Sequence, residues 1–101
     1  MIEAFKRMKK ENGYFVYADR EYVLIQQAYL DDYRTEPCYR AMCICPSDLP
    51  DEDGFYPVYV AIWDIREGYS PYMQEDMACD WENPREIIID RGGYRPIIKR
   101  K

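Results

Sequence analysis

Four cysteines, Cys38, Cys43, Cys45 and Cys79, and no histidine set the limits on chemistry in this chain of 101 residues. Four thiols are the number that a tetrahedral zinc site uses. Their spacing does not suit one. No C-x-x-C is present, and no imidazole exists to replace a missing thiolate. Cys43 and Cys45 are two apart in a segment that reads as a strand, so their side chains share a face. Cys38 lies an odd number of residues from both and points to the other face. The expectation is four reduced thiols that act as small buried hydrophobes, with no metal and no cofactor.

Other chemistry fails on similar grounds. Asp51-Glu52-Asp53-Gly54 resembles part of an EF-hand loop. Aligned on that glycine, Leu49 stands where the first Asp ligand belongs and Val60 where the bidentate Glu belongs. The segment therefore reads as a solvated acidic turn. Without His the commonest general base near neutral pH is missing. Ser47 follows a proline and Ser70 precedes one, neither in the setting of a nucleophile elbow. Asp80 beside Cys79 has the wrong sign to activate a thiol. Gly92-Gly93 follows a strand with no evident helix after it, so no phosphate loop is read there. No catalytic residue is assigned, and the chain reads as a non-enzyme.

Charge is more informative. Between Glu21 and Asp90 stand sixteen Asp or Glu against four Arg and no Lys, a net of −12; the first twenty residues carry +2 and the last eleven +5. Such a body repels nucleic acid and attracts basic partners. The candidate partner-binding residues are the carboxylates of expected loops and the aromatics among them. One group is Asp31, Asp32 and Tyr33. A second is Asp48, Asp51, Glu52, Asp53 and Phe55. The rest are Tyr72, Glu75 and Asp76, and then Asp80, Trp81 and Glu82. Aromatic anchors ringed by charge have the composition of a recognition surface. Carboxylates on a rigid sheet can also imitate the phosphates of DNA and fill the basic groove of a nucleic-acid enzyme. Two alternatives stand beside this reading. A small barrel could stack bases on exposed tyrosines and hold phosphates with its basic ends. Or the acidity serves solubility alone, on a structural domain with no dedicated site.

The elements that would position these residues follow from periodicity. Ile2, Phe5 and Met8 predict a basic amphipathic helix over Ile2–Lys10 that packs on a sheet, ended by Asn12-Gly13. Strands are expected at Tyr14–Ala18, turning at Asp19-Arg20, and at Glu21–Tyr29, where Gln26-Gln27-Ala28 keep a helix open. Asp31–Pro37 reads as a loop. Cys38–Cys45 alternates as a strand, and Pro46–Gly54 is an acidic turn. Phe55–Ile65 is the strongest strand, apolar on both faces, and therefore central. Glu67–Asn83 is irregular, with one or two helical turns at Tyr72–Ala78. Arg85–Asp90 is a last strand, and the basic tail Lys99–Lys101 frays. The fold class is α+β: a twisted antiparallel meander of about five strands, able to curl into a partial barrel, with a short N-terminal helix and one domain over 1–101. The expected core is Val16, Met42, Ile44, Val58, Val60, Ile62 and Ile88. No stretch approaches the roughly 20 apolar residues that span a bilayer, and no apolar segment follows the N-terminal charges as in a signal peptide. A cytoplasmic setting with reduced thiols is expected.

In size, charge and lack of catalytic residues the chain resembles the small acidic accessory proteins of bacteriophages and mobile elements. Some of those inhibit host defence nucleases, anti-CRISPR proteins among them. The resemblance implies binding and inhibition of a basic partner that handles nucleic acid.

Overall fold

Alternating apolar residues become a curled antiparallel sheet with one helix laid on it. The computed structural model describes residues 3–31, 37–69 and 78–90. Helix α1 (Glu3–Asn12) precedes strands β1 (Tyr14–Tyr17), β2 (Arg20–Leu24), β3 (Tyr29–Asp31), β4 (Cys38–Ile44), β5 (Tyr59–Asp64) and β6 (Glu86–Ile89). The sheet order is β1-β2-β4-β5-β6, with β3 paired to β4 beside β2, and every pairing is antiparallel. It is the α+β meander, curled into a half-barrel.

Helix α1 buries Phe5 and Met8, one turn apart, and exposes Lys6, Arg7 and Lys10. It runs two residues past the expected end. Gly13 then closes it at φ 98°, with its N–H donating to the Lys9 carbonyl at 3.1 Å. This left-handed position is one that glycine takes without a Cβ clash. The Asn12 amide donates to the carbonyls of Leu24 (3.2 Å) and Ile25 (3.0 Å), which ties the helix end to β2.

Two turns depart from the sequence reading. The β1–β2 hairpin turns on Ala18 (φ 52°) and Asp19 (φ 62°), one residue earlier than expected. Two consecutive left-handed residues make the type I′ loop whose twist suits paired strands. The second departure is a break in the expected Glu21–Tyr29 strand. Leu24 lies opposite Cys43 and Tyr29 opposite Arg40, so four residues face two. This wide bulge at Ile25–Ala28 bends one strand into β2 and β3, and Asp31 ends β3 instead of opening a loop.

Both sheet faces are buried, as the two apolar faces of β5 require. Against α1 lie Val23, Ile44, Tyr56 and Val58. On the opposite face lie Phe15, Tyr22, Tyr39 and Trp63, joined by Ala78 and Cys79 from the β5–β6 connection. Ile62 is also buried. Val16 and Ile88 are corrections: they are 54% and 46% exposed, because β1 and β6 are the edges of the sheet. Met42 and Val60 are half-buried.

All four thiols are free and buried, and Cys43 and Cys45 share the aromatic face as the alternation requires. Burial pushes the Cys43 thiol from its ordinary 9.0 up to about 12 and Cys79 up to about 11. The unfolded chain therefore loses these protons first as pH rises. Their contribution to stability is complete below about pH 9 and is lost progressively toward 12. Urea unfolding midpoints should fall between roughly pH 9 and 11, and fall less in Cys43→Ala. A midpoint that is flat over that range would contradict the burial of the thiol. Among the described residues, no three Cys, Asp or Glu gather as the ligands of a metal ion would.

Candidate functional site

The meander sends its two long connections to opposite ends of β5. The β4–β5 connection carries Asp48, Asp51, Glu52, Asp53 and Phe55. The β5–β6 connection carries Asp80, Trp81 and Glu82, and Asp31 lies at that same end, where Asp31 faces Cys38 and Cys38 faces Asp64. Asp32, Tyr33, Tyr72, Glu75 and Asp76 lie outside the described residues. The candidate residues are thus divided between two ends of the sheet.

At the first end, acids differ in what they do. Asp48 is half-buried. It forms an ion pair with Arg20, and the Tyr59 hydroxyl donates to its Oδ2 at 2.8 Å. The Arg20 guanidinium lies over the rings of Tyr22 (5.4 Å) and Tyr59 (5.8 Å). Burial, then the bond to Asp48, raises the Tyr59 phenol above its usual value. Cys45 Sγ lies 3.0 Å from Ser47 Oγ in the same cluster. Asp48 therefore holds the hairpin end to the sheet. Asp51 builds its own turn: its Oδ1 accepts from the N–H groups of Asp53 and Phe55, each at 2.9 Å, and Gly54 completes the turn at φ 89°. That turn presents Glu52 and Asp53 to solvent.

At the second end, Asp31 Oδ2 lies 2.9 Å from Arg40 Nε, an ion pair whose N–H is not aimed along that line. Hydrogen bonding by Cys38, ahead of the Asp31 charge, raises Arg40 further above its usual value. Asp80 builds a turn by accepting from Glu82 N–H (3.3 Å) and from the Asn83 amide (2.9 Å). Asp80 and Glu82 are exposed, and between them Trp81 folds inward to half-burial.

Trp81 meets a cleft of about 280 Å³. Its floor is Phe15, Tyr39 and Trp63, and its rim includes Tyr14, Ala28 and Trp81. The bulge at Ile25–Ala28 brings Leu24 and Ala28 to the same opening. The Trp63 indole N–H donates to the Trp81 carbonyl at 3.1 Å, which fixes the β5–β6 connection against the sheet.

No family model, curated protein or solved structure matches the chain.

Sequence reasoning singled out Trp81 as an anchor beside acids and missed the cleft it joins. Phe15, Tyr39 and Trp63 stand outside the expected core, which took the alternate strand positions Val16, Met42, Ile44, Val60 and Ile62, yet all three are buried. Nothing local signalled that a tryptophan eighteen residues beyond Trp63 would pack against it. Among the described residues, no helix is long and apolar enough to cross a membrane.

Proposed function

We propose that this chain is a non-enzymatic interaction module that binds a basic protein surface. The carrying observation is the outward presentation of carboxylates by ordered turns. Glu52 and Asp53 stand on a turn closed by Asp51, and Glu82 stands on one closed by Asp80. A turn fixed by its own hydrogen bonds presents charge with little entropy left to lose on binding. A partner of this kind is a protein that handles nucleic acid, held and inhibited by an acidic mimic of its ligand, as in accessory proteins of phages and mobile elements. Buried reduced thiols support a cytoplasmic setting.

The test captures partners from host lysate on the immobilised chain and measures the affinity of the identified partner at low and high salt. Affinity should fall steeply with salt. The double reversal Glu52→Lys, Asp53→Lys spares the turn-building Asp51. It should weaken binding by roughly tenfold or more and leave the melting temperature nearly unchanged. A gel shift with generic nucleic acid supplies the opposing outcome. Tight binding at about 150 mM salt, lost on removing Lys99–Lys101, would overturn the proposal in favour of nucleic-acid binding through the basic ends.

A further inference from the structure

The cleft beside Trp81 has a wall made of touching rings. Tyr39 and Trp81 have centroids 5.1 Å apart at 68°, Trp63 and Trp81 5.4 Å at 56°, and Phe15 and Trp63 5.5 Å at 80°. An ammonium group held between ring faces needs each centroid within about 6 Å on different sides of it. Rings already in mutual contact leave no such gap. They form one continuous apolar wall instead.

Two polar groups of the lining are paired with the protein itself. The Trp63 N–H bonds to the Trp81 carbonyl, and the Asn12 amide bonds to two carbonyls of the bulged strand. At about 280 Å³ the cleft lies just under the lower end of the roughly 300–1,000 Å³ range for drug-sized ligands. It suits one ring. An aromatic group set against the wall extends its run of edge-to-face contacts.

Charge comes from the chain neighbours of one lining residue. Asp80 and Glu82, exposed, flank Trp81 in the chain. Lys9 lies over the Tyr14 ring at 4.1 Å, and its charge is met by Glu21 at 3.1 Å. We propose that the cleft seats an aromatic side chain of a basic peptide segment, whose flanking Lys or Arg residues meet Asp80 and Glu82. This rests on the reading of the chain as a binder of a basic partner, and it names the part of that partner which enters.

Trp63 and Trp81 are the two tryptophans of the chain and both line the cleft, so intrinsic fluorescence reads its occupancy. Three capped peptides serve as probes: Lys-Arg-Phe-Arg-Lys, Lys-Arg-Ala-Arg-Lys and Glu-Glu-Phe-Glu-Glu. The first should change the emission saturably below roughly 1 mM, with the other two weaker by about tenfold or more. Ala28→Phe fills the mouth from the bulge and should abolish the response while the melting temperature holds. Glu82→Lys should weaken it, and the double reversal at Glu52 and Asp53, at the opposite end, should not. Equal responses to the Phe and Ala peptides would overturn the proposal, as would no response to any peptide. A response to tetramethylammonium alone, or to oligodeoxythymidylate, at comparable concentration would also overturn it, in favour of a cation cage or base stacking. With the captured partner, weakening by the Glu52 and Asp53 reversal but not by Ala28→Phe leaves the acidic module standing and removes the cleft from it.

Discussion

Trp63→Ala should lower the free energy of unfolding by about 3–5 kcal/mol, the range for a large buried aromatic truncated in a core. Trp63 is 2% exposed on the central strand β5. It contacts Phe15 from the first strand and Trp81 from the last connection, so its loss opens a void that three elements share. It also removes the donor to the Trp81 carbonyl, leaving that carbonyl to find water or stay unpaired. Trp63→Phe keeps most of the apolar volume and loses the donor, so it should cost clearly less, on the order of 1–3 kcal/mol. Urea unfolding followed by circular dichroism measures both. A loss under about 1 kcal/mol for the alanine variant would mean that the wall of rings does not hold this face.

Phe5→Ala should cost a similar amount, about 3–5 kcal/mol, with a different distribution. Phe5 is 1% exposed and meets Tyr56 edge to face at 5.0 Å. A helix of ten residues is marginal without packing. Removing its anchor should therefore release the helix as well as weaken the whole. Amide hydrogen exchange distinguishes the two effects. Protection across Glu3–Asn12 should fall more than protection across β4 and β5. Equal losses in all elements would show that the helix unfolds only with the sheet.

The meander was legible because β4 alternates and because β5 is apolar on both faces. Alternation assigns a side chain to a face, but it does not say whether a neighbouring strand covers that face. Val16 and Ile88 read like core for this reason and stand exposed on the two edge strands. The bulge at Ile25–Ala28 left one trace, the polar Gln26-Gln27 inside an apolar run, a pattern that a helix shares. Of the acidic residues, Asp48 read as a solvated loop carboxylate. It is bound to Arg20, twenty-eight positions away, and a pair that distant leaves no local pattern. Asp51 and Asp80 did carry a signal, since Asp close to Gly or Asn marks a turn that the carboxylate itself closes. They build the loops, and Glu52, Asp53 and Glu82 are left to face outward.

Glu52 and Asp53 leave the sheet at one end of β5, and Trp81 with Glu82 at the other. The six-residue strand between those ends is itself about 17 Å long. A folded partner that reaches both ends holds the chain by two linked footholds. Once one is engaged, the other binds at a high effective concentration set by the partner's own rigidity. Affinity then multiplies across the molecule, and losing either foothold forfeits that multiplication. A short peptide confined to one end would compete poorly with such a partner, however well it fitted there.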